Sequence, residues 1–258
     1  MLESEAPSWT PYRYGFNNPV RFSDPDGNFE IDEATAKAYP KLDAMLQNIS
    51  KTYTDKPGEF KKAFKKYSNL SDEEVSQMLK YEKVKNGTPV EHGQPNPRIE
   101  VVELENANGQ TPLNLEGVVD SQGKIVELTG AQNKGVIYLD VSIVLNLEDF
   151  HLFESDEFAA EILVESTIFH EGTHYGDAMK GELSETGVKI VDGKIEIDHT
   201  DGNGKVEGGK RFEKEDYGVD INFGTSKTYS KENLPRERQR KDDRTRQKLE
   251  PKEPSDRL

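Results

Sequence analysis

Apolar residues in the first third of the chain recur at helical spacing. Met45, Leu46 and Ile49 stand three, four and seven residues after Leu42, and Phe60, Phe64 and Tyr67 resume the pattern after Pro57-Gly58. The Pro-Gly pair predicts a break between two helices. In NLSDEEVSQML, Ser71 and Glu74 stand at capping-box spacing, with Leu70 and Val75 placed to form a staple beneath them. Residues 31–80 are therefore expected to be helical, serving as scaffold or cleft wall. Between 99 and 148 the period changes. IEVVEL and GKIVEL alternate, and GVIYLDVSIVL is a longer apolar run rich in β-branched residues. These predict a small twisted sheet.

A second helix is expected from Ser155, a good N-cap, with Asp156 and Glu157 favoured in the first turn by the helix dipole. Phe158, Ile162, Val164, Ile168 and Phe169 supply its buried face, and Gly181 marks its end. VKIVDGKIEID, within 182–210, reads as a hairpin. RFEKEDYGVDINFG, 211–224, reads as a short helix stopped by Gly218. Asp198–Gly204 lacks the carboxylate register of a calcium loop and is read as a turn. NGTPVEHGQPNPR, 86–98, is loop, and its His92 is read as a surface residue. From Thr225 onward the only aliphatic residues are Leu234, Leu249 and Leu258, so a disordered tail is expected there. The expectation is an α+β fold with a helical N-terminal part, a small sheet and a long helix after it.

Composition narrows the chemistry. The 258 residues are 33% hydrophobic and 32% charged, a lean core for one domain with extensions. The net charge is −15. Residues 226–258 hold 11 Lys/Arg against 7 Asp/Glu, a net of +4, which leaves −19 for the rest. Such a surface repels phosphate backbones, so nucleic acid is not the expected partner. There is no cysteine, which excludes disulfides, thiolate ligands and cysteine nucleophiles. The start of the chain lacks the basic and apolar regions of a signal peptide. No apolar run approaches the ~20 residues of a membrane span.

HEGTH, 170–174, carries two of the five histidines. Residues four apart on a helix lie about 40° apart around its axis, so His170 and His174 can point two imidazoles at one ion. Glu171 is rotated by about 100° and can reach a water on that ion. Two imidazole ligands beside a general base make a metallohydrolase motif. In a chain with five histidines, chance produces roughly 0.01 such matches. Gly172 costs about 1 kcal/mol of helix stability against Ala, which points to close approach at a crowded site.

A catalytic zinc takes three protein ligands and keeps one position open. The candidates for the third are Glu213, Asp177, Glu182, Glu185 and Glu215. Glu213 is favoured because Tyr217, four residues on, would present a phenol on the same face to stabilise an oxyanion. Asp177 is the rival, or a partner for a ligand's free imidazole N–H. In the expected mechanism zinc on His170, His174 and Glu213 activates water, and Glu171 moves the proton to the leaving amine.

HEGTH together with the later FEKEDYG resembles the zincin metallopeptidases, in particular the metallopeptidase toxin domains at the C-termini of bacterial polymorphic toxins. The resemblance implies a zincin-like fold, one zinc ion and a protein or peptide substrate. Separately, YRYGFNNPVRFSDPDGNF resembles the end of an RHS/YD-repeat core, through Tyr12, Tyr14, Asn17, Asn18, Pro19, Asp24, Pro25 and Gly27. It departs from the longer junction form at Asn28-Phe29, where Leu and paired glycines would follow. The two resemblances imply a core remnant at 1–28, a toxin domain at 29–225 and a charged tail at 226–258. They further imply an effector secreted by way of a larger RHS protein, delivered into competing bacteria and countered by an immunity protein. A non-catalytic, metal-stabilised binding module and a nucleic-acid-targeting toxin remain the alternatives.

Overall fold

The computed structural model describes residues 28–90, 95–122, 125–181, 188–191, 194–197 and 207–233. The RHS-like segment up to Gly27, His92, Glu182, Glu185 and the 198–204 turn lie outside them.

Strand β1 (Asn28–Asp32) feeds directly into α1 (Glu33–Ala38). The Asp32 carboxylate caps that helix, accepting from the N–H groups of Ala34 and Thr35 at 2.9 and 3.0 Å. Pro40, fixed in φ and lacking an N–H to satisfy, opens α2 (Pro40–Asp55). The break at Pro57-Gly58 is where expected, and α3 (Gly58–Ser68) follows it. The capping box then opens α4 (Asp72–Met78), with Glu74 N–H donating to Ser71 Oγ and Ser71 N–H donating to the Glu74 carboxylate.

The remaining elements are β2 (Lys80–Val84), β3 (Arg98–Val102), β4 (Gly109–Gln110), β5 (Leu113–Val119), β6 (Ile125–Asn133) and β7 (Val136–Asp140). After them come α5 (Val141–Glu148), a 3-10 turn (Phe150–Phe153) and α6 (Glu157–Met179). A hairpin of β8 (Val188–Val191) and β9 (Lys194–Ile197) precedes α7 (Gly208–Asp216) and a last helix, α8, over residues 223–233. The main sheet runs β2-β1-β3-β7-β4. Its strands are parallel except β4, which pairs antiparallel with β7 through Gly109–Leu139 and Gln110–Tyr138. β5 and β6 form a separate hairpin.

Two stretches depart from the sequence reading. The apolar run 135–145 is not one strand: it stays extended only to Asp140 and then turns into α5. The Asp140 side chain makes that turn, accepting from Ser142 N–H at 2.9 Å. Ile143, Val144 and Leu147 then bury one helical face. A capped, amphipathic eight-residue segment outweighs the strand preference of its β-branched residues.

The second departure is at the C-terminal boundary. Residues 223–233 are helical, and so continue the packed structure beyond 225. Tyr229 packs edge-on against Tyr217, with ring centroids 5.6 Å apart, and Phe223 lies 5.4 Å from Phe153. Ser230 Oγ donates to Asp156 Oδ1 at 2.7 Å. Aromatic anchors spaced along one face hold a mostly polar helix that composition alone reads as unfolded.

The centre of the molecule is α6. Its N-cap is Asp156, one residue after the expected Ser155, accepting from Ala159 N–H at 2.9 Å. Its end near Gly181 is as expected, with that glycine at φ +71°. Seventeen of its 23 residues are buried, so it is covered on nearly every side. Phe169 from α6 stacks edge-on with Phe60 and Phe64 of α3, and Phe212 of α7 closes the same cluster. Gly172 and Gly176 face this scaffold: a Cβ at 176 would lie 2.6 Å from Ser68 O, and one at 172 would lie 3.0 Å from Met78 Cε. The glycine in HEGTH thus serves helix packing, not the crowding of a metal. The α+β, zincin-like architecture expected from the sequence is the one observed.

Candidate metal centre

His170 and His174 stand on one face of α6, with ring centroids 5.2 Å apart. Across from them is Glu207, the N-cap residue of α7. Its Oε1 lies 3.3 Å from His170 Nε2 and its Oε2 lies 3.6 Å from His174 Nε2. Each of the three offers a ligand atom within 4.8 Å of the others. Two imidazole nitrogens and one carboxylate oxygen suit a borderline divalent cation, and three protein ligands leave a position open.

Glu171 is beside this group, its Oε1 3.9 Å from His170 Nε2. The three side chains of the motif thus stand relative to one another as helical geometry predicts. Glu213 also reaches the site, but on the far side of the ring. Its Oε1 is 3.2 Å from His170 Nδ1, and its Oε2 accepts Ile221 N–H at 2.9 Å. Both oxygens are engaged away from the point where the two Nε2 atoms meet Glu207, which departs from the expectation that Glu213 binds the ion. Carboxylates in this position fix the tautomer and orientation of a ligating imidazole.

The other candidates are elsewhere. Asp177 is fully buried and accepts from Asn69 Nδ2 at 2.7 Å, tying α6 to the end of α3. Glu215 pairs with Lys66 and Tyr67 at the surface. Tyr217 does not present a phenol to the cleft: its ring packs on Phe60 and Phe212, and its hydroxyl points to Glu165. Tyr217 still follows Glu213 at helical spacing, its N–H donating to Glu213 O at 2.7 Å, so it is the packing of its ring, and not the turn at Gly218, that carries the phenol away from the cleft.

Glu207 is the residue the sequence reading missed. Its one legible mark is the Gly208-Gly209 pair after it. A Cβ at 209 would sit 2.4 Å from Nε2 and Cδ2 of His170, so only glycine lets the first turn of α7 lie against the ring.

The electrostatics fit a bound cation. Burial would push the Glu207 carboxyl up, but the hydrogen bond from His170 and the charges of His174, His170 and Lys210 bring it down to about 2. The start of α7 adds its positive dipole end. Burial would lower His170, yet Glu207, Glu213 and Glu171 together hold it well above the usual histidine range. Burial raises both Glu171 and Glu213. Three carboxylates thus crowd two imidazoles in a buried space, and a divalent cation relieves the excess of negative charge.

The site opens into a cleft of about 970 Å³, whose lining includes the 104–113 segment and residues 220–222. Among the described residues, no helix is long and apolar enough to cross a membrane.

Comparison with curated proteins and with solved structures returned no significant match. A family model described as metallopeptidase toxin 3 matches residues 35–218, more than two-thirds of the chain, from α1 through Gly218. That span contains the HEGTH helix, Glu207 and Glu213, and the chain belongs to the metallopeptidase toxin 3 family.

Proposed function

We propose that the protein is a zinc-dependent peptidase effector, with His170, His174 and Glu207 holding the ion, Glu213 orienting His170 and Glu171 acting as general base. The observation that carries this reading is the meeting of His170 Nε2, His174 Nε2 and Glu207 in the cleft, with Glu171 Oε1 3.9 Å from His170 Nε2. When bound, the ion polarises the scissile carbonyl and lowers the pKa of water. Glu171 takes the proton of the attacking water and delivers it to the leaving amine nitrogen. Its burial suits it to hold a proton between those two events. β4, an edge strand of the main sheet among the described residues, borders the cleft. An extended peptide can pair with such an edge, which supports a peptide substrate.

The RHS-like junction supports carriage by a larger RHS protein, secretion, delivery into competing bacteria and a cognate immunity protein. The test is expression of the full chain in a bacterial host, wild type and Glu171→Gln, with zinc content and proteome cleavage measured. The variant is expected to keep zinc and lose toxicity and cleavage. Full activity in the variant would refute the mechanism.

A further inference from the structure

The segment leading from β4 into β5 meets Glu171 rather than the histidines. Thr111 Oγ1 donates to Glu171 Oε2 at 2.9 Å, and the main-chain oxygen of Glu171 lies 3.0 Å from the same hydroxyl. Two residues earlier the backbone passes so close that a Cβ on Gly109 would be 2.6 Å from Thr167 Cγ2 and 2.8 Å from Glu171 Cγ. The Glu171 side chain is therefore packed at Cγ by the Gly109 backbone and held at Oε2 by the Thr111 hydroxyl, while the Thr111 backbone N–H also acts on its carboxylate. The remaining oxygen, Oε1, is the one facing His170 Nε2.

A hydroxyl has one proton to give. With two acceptors in range, it goes to the charged one, because a hydrogen bond to an ionised carboxylate is roughly twice as strong as one to a neutral carbonyl. With Oε2 occupied, a proton taken from water arrives at Oε1, on the metal side.

We propose that Thr111 is a positioning residue for Glu171, selecting which carboxylate oxygen serves as the base and fixing its aim at the ion site. This rests on the assignment of Glu171 as general base. The test uses the full chain with Thr111→Val, Thr111→Ala and Thr111→Ser, and a quenched-fluorescent peptide spanning a mapped cleavage site. Val and Ala should lower kcat about tenfold or more, the scale set by small misplacements of a reacting group. KM should stay within about twofold and zinc content should be unchanged, and Ser should recover most of kcat.

A second readout needs no metal. In crystals of the zinc-free Val or Ala variant, the Glu171 carboxylate should leave its wild-type rotamer, while the Ser variant keeps it. Full kcat in Val and Ala, or an unmoved Glu171 in the zinc-free crystals, overturns the proposal. An active Glu171→Gln variant instead overturns the function on which it rests; an inactive one beside a fully active Thr111→Val sinks only this inference.

Discussion

Gly209→Ala tests the metal centre through a residue that has no side chain. The added Cβ would lie 2.4 Å from Nε2 and Cδ2 of His170 and 2.7 Å from Cε1. Ordinary contacts between such atoms are about 3.5–4.0 Å, so something must move by about 1 Å. The ring is braced at Nδ1 by Glu213 at 3.2 Å and faces Glu207 at 3.3 Å. Either the imidazole swings off its position, or the first turn of α7 lifts and takes Glu207 with it. Both routes separate two of the three ligand atoms. A displacement of that size costs roughly 10²-fold where geometry governs the interaction, equivalent to about 2.7 kcal/mol.

The assay is competition for zinc against a chromophoric chelator, with thermal melting of the zinc-free protein as the control for folding. Alanine is the better helix former, by up to about 1 kcal/mol in a helix interior, which offsets part of the clash in the zinc-free protein. Zinc affinity should therefore fall much further than stability. A zinc Kd within about twofold of wild type would show that α7 does not close the site as described.

Two further outcomes follow from the same geometry. Glu213→Gln should weaken zinc by about 10–100-fold, as loss of an outer partner of a ligating histidine does, and Glu207→Ala should weaken it more; the reverse order would make Glu213 the ligand. Asp216 gives a pH signature distinct from the metal. Burial pushes its carboxyl up to about 6, against the pull of Lys56 and with Glu165 adding to the rise. The folded state thus holds this proton more tightly than the unfolded chain. The resulting stability is complete below about pH 4 and is lost as pH rises through about 6. Discounted for partial exposure, the loss is about 1–2 kcal/mol. Denaturant melts of the chelator-treated protein between pH 4 and 7 should show this slope in wild type and a flatter one in Asp216→Asn; equal slopes would refute the assignment.

Local pattern was enough for whatever depends on near neighbours in the chain. The capping box at Ser71–Glu74, the break at Pro57-Gly58, the turn at Gly218 and the pairing of His170 with His174 all stand in the structure. Each depends on residues within one helical turn, where backbone geometry leaves little choice. Where two local preferences competed, as in the apolar run through Asp140, one capping side chain decided, and strand propensity was the weaker guide. Helix α8 was hidden because its few aromatic anchors gain stability only against Tyr217, Phe158 and Phe153, from remote parts of the chain.

The site divides in the same way. Sequence alone determined two imidazoles and a neighbouring carboxylate on one helix, because a helix carries its own coordinates from residue to residue. The partners across the cleft come from segments 37 and 60 residues away, Glu207 relative to His170 and Thr111 relative to Glu171. Spacing in the chain says nothing about which of many carboxylates will face a ring, or which of its two nitrogens that carboxylate will meet. Glu213 sits at an inviting position and reaches Nδ1, whereas Glu207 reaches Nε2. Only tertiary packing decided between them, by bringing the glycine-paired start of α7 against His170 and leaving the next turn on the far side of the ring.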